Sequence, residues 1–111
     1  MFGFFGSDGS NVDAHKFEEL LSQGYKIIDV RTPEEFNQAR IEGAVLMNIY
    51  NPTFKSEVDA LKKDEKYAIY CASGSRSASA LSVFRKAGIT EVCHLAGGII
   101  SWYRAGKPLV N

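Results

Sequence analysis

The sequence predicts an α/β fold, a parallel sheet with helices packed on both faces. Strand-like and helix-like stretches alternate from Asp13 to the C-terminus, with no repeat, low-complexity block or linker between them. Alternation of this kind builds βα units whose strands run parallel. The runs at 25–30, 44–49 and 67–70 are apolar in succession rather than at alternate positions, which suits strands buried on two sides.

Each element has a local reason. Asp13 can cap a helix running to about position 23, with Phe17, Leu20 and Leu21 on one face and Gly24 just past its end. A strand follows over 25–30. Thr32-Pro33-Glu34-Glu35 reads as a capping box with proline in the first helical position, opening a short helix to about Ala39. Gly43 marks a turn before a strand at 44–49. Helical spacing returns over 53–61, where Phe54, Val58 and Leu61 align. A strand at 67–70 runs into Cys71. A helix over 77–87 stops at Gly88, and a strand follows at 91–95. Gly97 and Gly98 then turn the chain into a last helix over 99–105, ended by Gly106 and Pro108.

Composition narrows the function classes. The 111 residues, 45% of them hydrophobic, suffice for one compact domain, placed at 12–111. Residues 1–11 read as a flexible arm carrying Phe2, Phe4 and Phe5, too short and glycine-broken to span a membrane and without the basic start of a signal peptide. Lys plus Arg equals Asp plus Glu, 13 each, so net charge makes no case for nucleic acid or a membrane surface as partner. Two cysteines, Cys71 and Cys93, do not make a disulfide framework. A reduced, cytoplasmic setting is expected.

The chemistry centres on Cys71, at the carboxyl end of a strand, where ligands of parallel sheets bind. Ala72, Ser73, Gly74 and Ser75 are small enough for their amides to turn inward as an anion-holding nest. The helix behind Ser77 points its positive end at the loop, and Arg76 adds a full charge. Together these favour a thiolate beside a bound anion. Such a cradle serves either phosphoryl or arsenate chemistry or sulfur transfer through a persulfide. Four residues separate Cys71 from Arg76. The ring is one residue shorter than the Cys-x5-Arg loop of cysteine-dependent phosphatases, and Tyr70 stands where those often have histidine. The smaller ring fits one added sulfur better than a phosphate.

At these residues the chain resembles a single-domain rhodanese, a thiosulfate or polysulfide sulfurtransferase. IIDVRTPEEF at 27–36, RIEGAVLMNI at 40–49, YCASGSRS at 70–77 and LAGGIISW at 95–102 resemble four family segments in the family's order. The resemblance implies a small rhodanese-like domain around a mostly parallel five-stranded sheet. It implies Cys71 as catalytic nucleophile and persulfide carrier, with Ala72, Ser73, Gly74, Ser75 and Arg76 as the loop that binds the sulfur and Ser77 opening the helix behind it. It implies no metal or organic cofactor, a small sulfur anion as donor, a thiol or protein cysteine as acceptor, and a monomer or weak homodimer. Two positions depart from the family pattern: Ala72 replaces a basic residue that many active members carry, and Arg40 replaces a histidine. Arg40 is therefore a candidate for the mouth of the site, and the missing charge at Ala72 leaves a weakly active binding or regulatory module as the alternative reading. A cysteine phosphatase or arsenate reductase is the remote one.

Other residues have blander readings. Arg76 is expected to fasten the loop by hydrogen bonds, its field being secondary. Asp29 and Arg31, at a strand end near the mouth, read as structural, Asp29 accepting loop amides and Arg31 pairing with a carboxylate such as Glu35. Cys93 reads as a core cysteine. His94, its strand neighbour, points to the opposite face and reads as a satisfied or exposed histidine. His15 reads as solvated. Gly97 and Gly98 read as a turn leaving room near the mouth, and Trp102 as the core anchor of the last helix.

Overall fold

The computed structural model describes residues 9–111; Phe2, Phe4 and Phe5 lie outside the described residues. Five strands, β1 (Asn11–Val12), β2 (Lys26–Asp29), β3 (Val45–Leu46), β4 (Tyr67–Tyr70) and β5 (Val92–Leu95), form one sheet in the order β1-β5-β4-β2-β3. Every pairing is parallel. Five helices alternate with them: α1 (Ala14–Ser22), α2 (Pro33–Gln38), α3 (Phe54–Asp59), α4 (Ser75–Lys86) and α5 (Gly98–Arg104). The expected fold class is the one observed.

Side-chain alternation along the strands explains the two-sided burial. Tyr67, Ile69 and Cys71 face one side with Ile28 and Val92, and Val58, Ala80, Leu81 and Phe84 of α3 and α4 close over them. Ala68 and Tyr70 face the other side with Ile27, Cys93 and Leu95, covered by Phe17, Leu20, Ile99 and Trp102 of α1 and α5. Trp102 anchors α5 as expected: its ring meets Phe17 edge-on at 6.1 Å, and its Nε1–H donates to the Pro108 carbonyl at 2.8 Å. No helix among the described residues is long and apolar enough to cross a membrane.

Three of the departures from the expected element boundaries bear on the sheet edges and the cysteine loop. β1 has two residues, too few to show a periodicity, and forms because Asn11 and Val12 pair with His94 and Leu95. The expected arm at 1–11 therefore ends in sheet, with Ser10 buried just before it. β3 shrinks from the expected 44–49 to Val45–Leu46, although the Met47 and Ile49 amides still bond the Asp29 and Val30 carbonyls. α4 starts at Ser75 rather than 77, because Gly74 takes the cap position at φ +112°. Ser75, Arg76 and Ser77 thus belong to the helix's first turn.

Candidate active site

β4 is the middle strand of the sheet, with β2 and β5 beside it. Its last residues deliver Cys71 to the carboxyl end of the sheet, with only 1% of the residue exposed. The Gly74 amide donates to the Cys71 Sγ at 3.1 Å and the Ser77 amide at 3.3 Å. The Ser77 hydroxyl lies 3.6 Å from the same sulfur. Burial pushes the Cys71 thiol up, but the Ser77 hydroxyl and the amides of Ser77, Gly74 and Ser73 outweigh it, and the net shift is downward.

The amides face inward because the carbonyls are held outward. The Ile99 amide donates to the Cys71 carbonyl at 2.9 Å and the Ile100 amide to the Ala72 carbonyl at 3.2 Å. In a trans peptide the N–H points opposite to the C=O. Bonding the Ala72 carbonyl to α5 therefore turns the Ser73 amide toward the sulfur. Gly98 makes this approach possible: a Cβ there would lie 2.3 Å from the Ala72 oxygen, and its φ is +63°. The expected glycine turn near the mouth is thus the seat of the loop rather than open space.

Arg76 fastens the loop, as expected, and its partner is Glu35. Its two terminal nitrogens contact the two carboxylate oxygens at 2.8 and 3.0 Å. The Arg76 hydrogen bond, acting against partial burial and aided by Thr32, pulls the Glu35 carboxyl down to about 2. Glu35 also closes the α2 capping box with Thr32. The largest effects that lower the Cys71 pKa come from the Ser77 hydroxyl and the loop amides, and the charge of Arg76, which also couples to Cys71, is secondary as expected.

The pairing expected between Arg31 and Glu35 is corrected by the structure. Arg31 forms a fork on Asp29, with Nη2 2.7 Å from Oδ2, and both residues are buried. Glu35 is already taken by Arg76, and the i, i+2 spacing at the end of β2 lets Asp29 accept both the Arg31 amide and its guanidinium. Arg31 Nη2 also bonds the Ala39 carbonyl at 2.6 Å, and its guanidinium stacks 5.5 Å from the centre of the Tyr70 ring. This pair braces the strand end from beneath. Arg40 donates to the Phe36 carbonyl at 3.2 Å and lies over the Phe36 ring, while its backbone pairs with Val110. Its guanidinium is thus engaged with α2.

Cys93 is buried among α1 and α5 side chains, and burial pushes its thiol up to about 12. His94 points to the other face, as strand alternation requires. It is buried, not exposed, and its Nδ1 lies 2.9 Å from the Ser77 Oγ. The sequence reading left Glu35 and His94 out of the site. The signal for His94 was its position opposite Cys93 on a strand beside β4. Among the described residues no group of three His, Cys, Asp or Glu side chains is placed to hold a metal ion.

A thiol at a strand end, held by helix-cap amides in a loop of this length, is matched in sequence as well as geometry. The family model for the rhodanese-like domain matches residues 13–105. The chain belongs to the rhodanese-like family. A protein of Allochromatium vinosum named sulfurtransferase is 34% identical over 104 residues, covering 91% of this chain and 94% of its own. Thiosulfate sulfurtransferase 16, chloroplastic, of Arabidopsis thaliana is 34% identical over 109 residues, covering 89% of this chain and 91% of its own. A Mycobacterium tuberculosis protein named "Probable adenylyltransferase/sulfurtransferase MoeZ" is also 34% identical, but the chain spans 26% of that protein's length. The crystal structure of a rhodanese-related protein from Thermoplasma volcanium superposes with a TM-score of 0.80 at 31% identity, covering 90% of this chain and 96% of that one. The relatives are named sulfurtransferases, and in this rhodanese-like chain Cys71 is the cysteine that the amides of Gly74 and Ser77 surround.

Proposed function

We propose that this chain transfers sulfane sulfur through a persulfide on Cys71. The observation that carries the reading is the convergence of the Gly74 and Ser77 amides and the Ser77 hydroxyl on one buried sulfur. These preorganised donors favour negative charge on the thiolate before reaction and on the added sulfur after it.

In the first half-reaction the Cys71 thiolate attacks the outer sulfur of a donor anion such as thiosulfate. A sulfur–sulfur bond forms to Cys71, the donor's own bond to that sulfur breaks, and sulfite leaves with the electron pair. In the second, a thiolate, a protein cysteine or cyanide attacks the terminal sulfur and restores the Cys71 thiolate. The covalent intermediate gives ping-pong kinetics. A polysulfide or persulfide donor follows the same course with a thiolate as leaving group. Ala72 brings no charge to the mouth, which favours donors whose recognition rests on the sulfur chain over those held by a basic side chain.

A thiosulfate:cyanide assay tests the reading. Turnover is expected in the wild type and absent in Cys71→Ser. Equal rates in the two proteins would leave only a binding module.

A further inference from the structure

His94 is a buried titratable group for which sulfur transfer, as described so far, has no use. Its side chain faces α4, whereas Cys93 and Leu95 on either side of it belong to the core under α1 and α5. Nδ1 lies 2.9 Å from the Ser77 Oγ, which lies 3.6 Å from the Cys71 sulfur. Cys71, Ser77 and His94 thus form a chain from the reactive atom into the protein. The groups facing His94 are Ser77 and Arg85 of α4, with Cys71 at the end of β4 reached through Ser77; from the β1 side, the Ser10 carbonyl accepts from its backbone amide at 2.7 Å. Burial, and then the charge of Arg85, hold the His94 pKa below its ordinary value. The ring is therefore neutral at neutral pH, with a proton on one nitrogen only.

The Ser77 hydroxyl has one proton and three neighbours able to take it: Nδ1, the Cys71 sulfur, and the Gly74 carbonyl at 3.2 Å. Which one receives it depends on the imidazole. A bare Nδ1 takes the hydroxyl proton and leaves the Ser77 oxygen as an acceptor, which suits a thiol. A protonated Nδ1 donates to the Ser77 oxygen and leaves the hydroxyl proton for a charged sulfur.

We propose that His94 is a positioning residue for the reactive sulfur, its Nδ1 accepting from Ser77 when Cys71 is a thiol and donating to Ser77 when the sulfur carries charge as thiolate or persulfide anion. The inference rests on Cys71 being the sulfur carrier. The protons balance without charging the ring. The thiol proton passes to the Ser77 oxygen, the hydroxyl proton passes to Nδ1, the proton on the far ring nitrogen leaves to water or a buffer base, and the electron pair stays on sulfur.

The test follows the ultraviolet absorbance of the Cys71 thiolate against pH, subtracting a Cys71→Ser control in each background. Ser77→Ala and His94→Phe are each expected to raise the midpoint by roughly half to one unit. His94→Asn, whose amide N–H can take the place of Nδ1–H, is expected to stay near wild type. The double variant Ser77→Ala/His94→Phe is expected to move no further than Ser77→Ala alone, because His94 acts only through that hydroxyl. An unmoved midpoint in His94→Phe, or additive shifts, would overturn the proposal. Nitrogen NMR of the ring in the unsubstituted protein gives a second readout that no folding defect can obscure: Nδ1 is expected bare below the Cys71 midpoint and protonated above it, and an unchanged ring overturns the proposal. Both readouts report thiol ionisation, so they remain decisive even if the protein never acquires a sulfur, a result that would count against the persulfide reading alone.

Discussion

The Arg76 guanidinium sits squarely on the Glu35 carboxylate, with contacts of 2.8 and 3.0 Å, and so ties the first turn of α4 to the first turn of α2. The arginine of the cysteine loop therefore chiefly holds geometry, and the sulfur draws most of its stabilisation from amides and a hydroxyl.

Glu35→Gln separates these roles. The folded-state carboxyl is depressed from 4.5 to about 2, so its stabilisation is present above pH 4.5 and lost as pH falls toward 2. With the Glu35 side chain 31% exposed, solvent screening reduces the effect to about 1–2 kcal/mol at neutral pH. Urea denaturation should show that loss at pH 7, with a smaller difference from wild type at pH 3. The Cys71 thiolate midpoint should stay where it is. Were Arg76 the source of the thiolate's stability, releasing it from Glu35 would lower that midpoint.

Gly98→Ala tests the seat of the loop. The added methyl would meet the Ala72 and Cys71 carbonyl oxygens at 2.3 and 2.6 Å, at a φ of +63°. A loss of about 2–4 kcal/mol in urea denaturation is expected from strain and overlap. Sulfur transfer should also fall in the fraction that remains folded, since the loop carbonyls are displaced. Full stability in the alanine variant would contradict the packing described.

Arg31→Met leaves Asp29, which is fully buried, without its counter-charge. A loss of about 3–5 kcal/mol is expected. Adding Asp29→Asn should recover part of it, because the unpaired charge is then gone. Equal stability of the single and double variants would argue against a buried ion pair.

Much of the fold is legible in the sequence, because its signals are local. Thr32-Pro33-Glu34-Glu35 announces the start of α2, and the capping box is present in the structure. The unbroken apolar run at β4 announces a strand buried on both sides and delivers Cys71 to its end. What escapes is set by tertiary contact. Arg76 and Glu35 are 41 residues apart and Ser77 and His94 are 17 apart, and no periodicity connects them. β1 is too short for a pattern and exists because β5 offers it an edge. Arg31 has three carboxylates within four residues in the sequence, Asp29, Glu34 and Glu35, and packing decides for Asp29.

Intact mass after incubation with thiosulfate or polysulfide, before any acceptor is added, tests the central claim most directly. The wild type is expected to gain one sulfur atom, lose it on addition of cyanide, and show neither change as Cys71→Ser. A wild type that gains no sulfur, or a Cys71→Ser protein that gains it equally, would contradict the account.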